Sequence, residues 1–258
     1  MADITDTGLP RAVTIAWGMQ EVPQRGPNRG LSHARIVAAA MDIADAKGLS
    51  AVTMQAVAES LSFTTMSLYR YLSSKDELLR LMQDAAIQLP DKITLSANWK
   101  QALRQWAELI RAAYRAHPWV LGIPRGQTSV LMPNSVRGAD IGLGALEGLN
   151  LKDDTKVGVI LVVSQHVATM VELEQSLADE TDFAVTAHGL EMLGEAITET
   201  RFPNVAALLA AGNYVPNVRP PTPDPRDEEE GVDADFIFGL DLIISGLEVL
   251  ERNGSDVA

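Results

Sequence analysis

The segment that most constrains this chain covers residues 53–75, with the sequence TMQAVAESLSFTTMSLYRYLSSK. It opens on Thr53, a residue type that favours a helix N-cap, and apolar residues follow it at helical spacing. Ser62 interrupts that spacing, and a second short helix is predicted over residues 65–72. The small residue Ala58 stands where the two helices would cross. Two short helices joined by a tight turn predict a helix-turn-helix.

The second of these helices would present polar and aromatic side chains to the outside, because Leu68 and Leu72 form its inner face. Hydroxyls, a guanidinium, aromatic rings and a thioether can contact phosphates and base edges in a major groove of DNA. The outward-facing candidates are Thr65, Met66, Ser67, Tyr69, Arg70 and Tyr71.

The composition is that of a folded protein without cysteine. Hydrophobic residues make up 47% of the 258 residues, which suffices for a sizeable core and for two small domains. Without cysteine no disulfide or thiolate metal site can form, which suits a reducing cytoplasm. We expect no membrane span, because no run of about 18 apolar residues occurs. The acidic N-terminus does not resemble a secretory signal.

Charge is unevenly distributed along the chain. Residues 25–82 hold seven Lys and Arg against five Asp and Glu, a net charge of +2 within a chain of −13. The remainder therefore carries about −15. This asymmetry fits a DNA-binding end attached to an acidic body. The small basic excess predicts DNA binding through few contacts and with strong salt dependence.

Residues 1–30 show no sustained periodicity and are punctuated by Gly and Pro, which predicts a flexible arm. Arg25 and Arg29 near its end could reach into a minor groove beside the main contact. A solvated tail with no role in DNA binding fits the same pattern.

Two further helices flank the helix-turn-helix. One is predicted over residues 32–47 behind a serine N-cap. Ser74 and Glu77 have the spacing of a capping box, which predicts a helix from there to about residue 89. Lys75 in its first turn would add a cation to a helix N-terminus, a favourable place for a DNA phosphate.

The run LYRYLSSKDELL and the residues before it resemble the DNA-binding domain of the tetracycline-repressor (TetR) family over residues 32–89. The resemblance implies an all-α fold, with an N-terminal three-helix helix-turn-helix domain and a larger helical ligand-binding and dimerisation domain. It implies that Thr53 and Gln55 lie near phosphate and base, and that Tyr69 and Lys75 hold the DNA backbone. We expect no cofactor.

The domain boundaries follow from these patterns. An arm covers residues 1–30, the DNA-binding domain with its connecting helix covers 31–90, and an effector-binding and dimerisation domain covers 91–258. In this last part the apolar spacing predicts helices throughout, interrupted by a Pro-rich and then acidic loop at 215–231. The predicted helices cover residues 99–117, 136–149, 156–177, 182–200, 203–211 and 233–252.

Two of these helices carry apolar residues on more than one face, at 159–163 and 236–250. Gly239 and Gly246 lie seven residues apart on the second, which would permit close helix approach. We predict an isologous homodimer in which both helices pair with their copies as a four-helix bundle. The alternative is that both are central core helices of one chain. The run DADFIFGLDLIISGLEVLERN is similar to the ligand-binding and dimerisation domain of the family's tetracycline repressors, which supports the dimer.

A mostly apolar cavity with a few polar groups suits a small organic effector. For each candidate lining residue, ordinary burial in the core is the alternative. Tetracycline repressors hold drug and magnesium with histidines in two regions, and here only His117 occurs in either of them. We therefore expect no metal and an effector other than a tetracycline–magnesium complex. The candidates are Trp106, His117, Trp119, Met132, His166, Met170 and Phe183.

The predicted function is that of a homodimeric one-component transcriptional regulator, most simply a repressor. It would bind a pseudo-palindromic operator in double-stranded DNA and be released by a small organic effector. The alternative is a helical ligand-binding or protein-interaction scaffold without operator binding, with acidic residues 224–230 as its contact. Catalysis is not predicted, because no nucleophile elbow, zinc-protease motif or phosphate-binding glycine loop occurs.

Overall fold

A computed structural model describes residues 7–19, 30–179, 187–211 and 232–255. Within these ranges the chain forms eleven α-helices and no strand, which confirms the predicted all-α class. Three short 3-10 turns, Leu49–Ala51, Pro118–Gly122 and Ser129–Leu131, lie between them. The helices are α1 Arg11–Ala16, α2 His33–Lys47, α3 Met54–Ser60, α4 Thr65–Leu68, α5 Lys75–Ala86, α6 Trp99–Ala116, α7 Pro133–Ala145, α8 Asp153–Asp179, α9 Ala187–Ala196, α10 Pro203–Ala210 and α11 Val232–Ser255.

The N-terminal core is formed by α1 to α5. Its helices begin where the sequence predicts, because the expected side chains cap them. Ser32 accepts a hydrogen bond from the backbone N–H of Arg35 at 3.2 Å, and Thr53 accepts one from Ala56 at 3.0 Å. Apolar residues of α2, α3 and α5 meet in the interior, where Leu68 of α4 is fully buried.

The second helix of the helix-turn-helix is shorter than predicted. It ends at Leu68 instead of Leu72, because the amide of Tyr71 bonds to the Leu68 carbonyl at 2.8 Å and tightens the chain into a turn. Leu72 is still fully buried, so the predicted inner face is correct. Ser62, with φ at 61°, makes the sharp turn between the two helices.

The prediction of a flexible arm over residues 1–30 is wrong for residues 11–16, which form α1. Ala12 and Val13 are buried against the N-terminal core, and α1 packs on α5. The helix is only six residues long, so its apolar periodicity is too short to recognise in sequence. Residues 20–29 lie outside the described ranges.

Half of the predicted capping box is present at the start of α5. Ser74 accepts a hydrogen bond from the amide of Glu77 at 3.1 Å. The Glu77 carboxylate does not reach back to Ser74. Instead it accepts from the amide and the hydroxyl of Ser73 and from the guanidinium of Arg11. The helix ends at Ala86, three residues before its predicted end.

The second core lies between α6, α7, α8 and α11. Helix α6 follows the cap residue Asn98 and ends at Ala116, one residue before the end that the apolar spacing predicts. Trp106 is buried, and its indole N–H donates to the Gly138 carbonyl of α7 at 2.8 Å. Gly142 lies against the same ring, where a Cβ atom would stand 2.5 Å from Trp106. This glycine therefore sets the distance between α6 and α7.

Helices α8 and α11 also pack closely within one chain. The imidazole of His166 stacks on Phe236 with ring centroids 5.5 Å apart, and its Nε2 lies 2.9 Å from the Phe236 carbonyl. A Cβ atom on Gly239 would stand 2.3 Å from His166. Gly239 thus serves contact within the chain, whereas Gly246 faces open space. The predicted close helix approach therefore occurs at Gly239, between α8 and α11 of one chain.

Helix α8 has one buried and one exposed apolar face. Val163, Val167 and Val171 are buried against the core, while Leu161 and Val162 are more than half exposed. Among the described residues this helix, over Asp153–Ala178, is the one with the length and composition to cross a membrane, although 33% of it is buried here. A helix with one face in a protein core can have the same length and composition, so the absence of a membrane span stays a prediction.

We predict that Gly142→Ala lowers the free energy of unfolding by about 1–3 kcal/mol, the usual cost of overpacking a core. The added methyl group would collide with a Trp106 ring that is buried and hydrogen-bonded, so the ring has nowhere to move. Denaturant unfolding followed by Trp fluorescence measures the change.

Gly144→Ala is the matched control, because it adds a methyl group to the same helix where nothing lies within 4 Å. We expect it to be neutral or to stabilise by about 0.5–1 kcal/mol, since alanine favours helix over glycine. Equal effects of the two substitutions would contradict close packing at Gly142.

Candidate DNA-binding surface and effector half

The helix-turn-helix presents a mixed surface of apolar, aromatic and cationic side chains. Met66 is 75% exposed, Tyr69 is 47% exposed, and the Arg70 guanidinium is also exposed. Lys75 is exposed in the first turn of α5. Met66 lies on α4, Tyr69 and Arg70 follow that helix, and Lys75 is the first residue of α5. Phosphate, base-edge and apolar contacts are all available from this one surface.

The remaining predicted DNA-binding residues are more constrained. Thr53 is committed to capping α3, and the exposed Gln55 side chain donates to Glu59 at 2.8 Å. Thr65 is half-buried, and the half-buried hydroxyl of Ser67 lies 2.9 Å from that of the N-cap residue Thr64. Such short-range bonds can exchange for contacts with DNA because their groups are near the surface.

Tyr71 is placed differently from the prediction that it points outward. Its side chain is half-buried against the N-terminal core, with its ring edge-on to His33 at 5.6 Å between centroids. Arg25 and Arg29, the predicted minor-groove contacts, lie outside the described residues.

Two residues that the sequence did not single out hold the end of this surface in place. The backbone carbonyl of Tyr71 accepts a hydrogen bond from the Arg11 guanidinium at 2.9 Å. The Nε2 atom of His33 lies 2.9 Å from the same oxygen and donates when it carries the proton. A carbonyl partner leaves no trace in side-chain patterns, so no sequence signal pointed to either residue.

Helix α5 connects this surface to the second half of the chain through two buried polar residues. Gln83 donates to the Ile123 carbonyl at 3.2 Å and accepts from the Ser129 hydroxyl at 2.8 Å. Asp84 accepts from the amide of Asn134 at 2.9 Å, at the N-terminus of α7. Burial raises the pKa of the Asp84 carboxyl group, and the hydrogen bonds from Asn134 and Ser135 partly oppose that shift.

A cavity of about 540 Å³ lies where α2, the end of α5 and the end of α6 meet. Beside it, Asp45 of α2 accepts from the indole N–H of Trp119 at 2.5 Å and lies 2.9 Å from Nδ1 of His117. The lining residues are Met41, Ala85, Ala86, Gln88, Leu89, Pro90, Asp91, Ala113, Ala116 and His117.

A second cavity of about 590 Å³ lies between α7 and the segment that leads into α6. Trp99 and Ile141 give it an apolar part, and Asp140 and Glu147 place two carboxylates beside that part. None of the predicted effector-binding residues lines this cavity.

The structure scatters the predicted effector-binding residues. His117 lines the cavity beside α2, and Trp119 lies next to His117. Trp106 lies in the α6–α7 contact and His166 in the α8–α11 contact, where both have backbone partners. Met132 is buried in the N-terminal core, and Met170 is half-buried on the second core. Phe183 lies outside the described residues.

A charged cluster joins α6, α8 and α11 and was not predicted. Arg111 is 3% exposed and forms ion pairs with Glu174 and Asp233, while Arg115 pairs with the same two carboxylates at 2.8 Å. The Arg111 guanidinium also lies 4.1 Å from the centroid of the Phe236 ring. Burial alone would raise the pKa of Glu174, but hydrogen bonds from Arg115 and Arg111 outweigh it and lower that pKa.

No group of three or more metal-ligating side chains occurs in the part of the chain that the structure describes. Met66, Tyr69, Arg70 and Lys75 of the helix-turn-helix and of the start of α5 are, in contrast, exposed to solvent. The described residues therefore combine an exposed apolar, aromatic and cationic surface with a helical body that contains cavities, and α5 contributes to both.

We predict that Arg70→Ala weakens binding to a tightly bound DNA duplex by about 1–3 kcal/mol while thermal stability stays the same, because the exposed guanidinium packs on nothing in the core. Tyr71→Ala should weaken binding and also lower the melting temperature, because its ring contributes to the core. Fluorescence anisotropy and thermal unfolding provide the two measurements. A fall in stability for Arg70→Ala would contradict its placement.

Two family models match the chain. Residues 36–82 match the model described as bacterial regulatory proteins, tetR family, and residues 89–250 match the tetracyclin repressor-like C-terminal domain. The chain is 33% identical to the HTH-type transcriptional repressor DrrR1 of Streptomyces coeruleorubidus, over 95% of this chain and 88% of that one.

Solved structures show the same fold. The Streptomyces coelicolor TetR family protein ActR is 26% identical and gives TM-scores of 0.65 in complex with (S)-DNPA and 0.67 in complex with actinorhodin. The superposition with the actinorhodin complex covers 86% of this chain and 98% of that one. Together, the helix-turn-helix surface, the helical body and these matches show that the chain belongs to the TetR family of bacterial transcriptional regulators.

Proposed function

We propose that this chain is a homodimeric repressor that binds a pseudo-palindromic operator and leaves it when a small organic molecule binds the helical body. The observation that carries the proposal is the surface formed by Met66, Tyr69, Arg70 and Lys75, which presents DNA-binding chemistry from a helix-turn-helix. DrrR1, at 33% identity over almost the whole chain, is named a transcriptional repressor.

The proposed DNA contacts divide into two kinds. Arg70 and Met66 are suited to base edges, where a guanidinium bonds guanine and an apolar group packs on a thymine methyl group. Lys75 and Tyr69, together with Thr53 and the other candidates of the helix-turn-helix, are suited to phosphates. Arg25 and Arg29 remain proposed minor-groove contacts.

The proposed dimer rests on the outward faces of α8 and α11. On α11, the residues Phe236, Leu240, Ile244 and Leu247 point inward and are buried. A second stripe of Phe238, Leu242, Ser245 and Val249 is exposed at spacings of four, three and four residues. Because Phe238 is 64% exposed and Leu242 58%, a second copy is the natural cover for this face.

The effector is proposed to bind in the helical body, residues 91–258, while residues 31–90 read DNA. The two ActR structures contain (S)-DNPA and actinorhodin, which supports a small organic molecule as effector here too. His117 and Trp119 are the proposed effector contacts nearest a described cavity. Trp106, Met132, His166, Met170 and Phe183 stay in the proposal only as candidates.

Helix α5 is the proposed connection between effector and operator. Its N-terminus carries Lys75 of the DNA-binding surface, and its Asp84 bonds the start of α7. A ligand that moved α7 would move α5 and thereby change the distance between the two DNA-binding surfaces of a dimer. The ligand can shift that equilibrium only by its difference in affinity for the two arrangements.

The family is one of regulators, and we propose that this chain catalyses no reaction and acts in the cytoplasm, where its DNA is. The acidic residues 224–230 lie outside the described residues, and their role as a contact for another protein remains the alternative proposal. Deleting residues 219–231 without any change in operator or effector binding would remove that alternative.

We predict saturable binding of the purified chain to one pseudo-palindromic duplex among short duplexes tiled across the DNA that flanks its gene. Fluorescence anisotropy with excess non-specific competitor measures it, and binding should weaken steeply with salt because phosphate contacts release counterions. Actinorhodin added to the complex is the first effector probe. Equal, weak binding to every duplex, together with no selection from a random duplex pool, would contradict operator binding.

For the dimer, we predict that Phe238→Glu or Leu242→Glu converts the protein to a folded monomer, because a buried unpaired carboxylate at the interface is costly. Analytical ultracentrifugation measures the change in mass. Val130→Glu is the control, since Val130 is also exposed but lies on the loop before α7. A dimer that survives both substitutions would contradict this interface.

A further inference from the structure

Helix α1 lies outside both family models, which begin at residues 36 and 89. It nevertheless packs into the N-terminal core, where Ala12, Val13 and Thr14 are buried. The described part of the N-terminal segment therefore adds a fifth helix to α2, α3, α4 and α5 of the DNA-binding half. The side chain of its first residue, Arg11, contacts both Tyr71, which follows α4, and Glu77 of α5.

Arg11 makes three contacts from this helix. One guanidinium nitrogen donates to the Tyr71 carbonyl at 2.9 Å, at the end of the DNA-contacting turn. The other donates to the Glu77 carboxylate at 2.8 Å and 3.2 Å. The planar guanidinium group of arginine can donate to two acceptors in fixed directions, whereas the ammonium group of lysine cannot.

Glu77 connects Arg11 to Ser73, in the segment between α4 and α5. The carboxylate is 5% exposed and accepts from both the amide and the hydroxyl of Ser73. Ser73 immediately precedes the cap residue of α5 and follows the exposed residues Tyr69 and Arg70. Arg11 at Tyr71 and Glu77 at Ser73 therefore hold residues 71–73, which belong to the segment that links α4 to α5.

The C-terminal end of this N-terminal segment, at Trp17, is hydrogen-bonded to the second half of the chain. The indole N–H of Trp17 donates to the Leu131 carbonyl at 2.8 Å, just before α7 begins. The amide of Met19 bonds back to the Thr14 carbonyl at 2.8 Å, which closes the segment onto its own helix. Residues 11–19 thus connect Tyr71 to the loop before α7, which Gln83 also contacts through Ser129.

We propose that Arg11 is a positioning residue for operator recognition: it holds the turn at residues 71–77 in the geometry that presents Arg70 and Lys75 to DNA, without contacting DNA itself. This rests on operator binding by the helix-turn-helix. Because Arg11 bonds the backbone carbonyl of Tyr71 and a buried carboxylate, its charge is directed into the protein. Its loss should therefore loosen the turn and leave the number of phosphate contacts unchanged.

The first test uses the full-length protein without DNA. Hydrogen exchange of peptides covering residues 69–77 should be about fivefold or more faster in Arg11→Ala than in the wild type, since a local opening becomes easier. Arg11→Lys, which keeps the charge but not the fork, should fall between the two. Unchanged exchange at 69–77 in Arg11→Ala would overturn the proposal, whether or not the protein binds an operator.

The second test measures anisotropy on the duplex found by tiling or by selection, at several salt concentrations. Arg11→Ala should bind that duplex about tenfold more weakly, with an unchanged slope of log affinity against log salt, because no phosphate contact is lost. Lys47→Ala is the charge-matched control, exposed at the far end of α2, and should show normal exchange. A slope reduced by about 0.9 in Arg11→Ala would mean that Arg11 binds phosphate directly and would overturn the proposal. Faster exchange with unchanged affinity would overturn it as well.

Discussion

Helix α5 is buried in two different cores, and the rest of the structure depends on that double burial. Leu78, Leu81 and Met82 pack among the helices of the DNA-binding half, while Ala86 packs with the helices of the body. Because protein interiors are close-packed, a helix shared by two cores cannot shift in one without disturbing the other. A change in the body therefore has a direct mechanical route to the DNA-binding surface.

Hydrogen bonds near the C-terminus of α5 connect this helix to α7. The Asp84 carboxylate meets the amides that begin α7, and Arg137 of α7 donates in return to the Leu89 carbonyl at 2.7 Å. Helix α5 thus satisfies amides at the start of α7, and α7 satisfies a carbonyl of the segment that follows α5. A buried carboxylate with a raised pKa is tolerated because those amides bond it, so separating the two helices would leave a charge unpaired in the interior.

The body combines a rigid junction with exposed apolar faces. Arg111 and Arg115 tie α6 to α8 and α11 through two shared carboxylates. These ion pairs join three helices at one end of the body, while the outward faces of α8 and α11 are exposed. In the proposed dimer, those exposed faces meet a second copy of the chain.

The sequence by itself determined the helix-turn-helix, the caps at Ser32, Thr53 and Ser74, and the apolar faces of α6, α8 and α11. These are local properties, set by side-chain type and by spacing along one helix. Only the tertiary structure decided that Arg11–Ala16 is a helix, that Tyr71 turns inward, and that Gly239 serves His166 within the chain. It also separated the effector candidates, because the partners of Trp106, His166 and His117 lie 32, 70 and 72 positions away in the chain. Contacts such as Arg11 to a backbone carbonyl and Trp17 to Leu131 carry no sequence pattern, since a carbonyl is the same at every position.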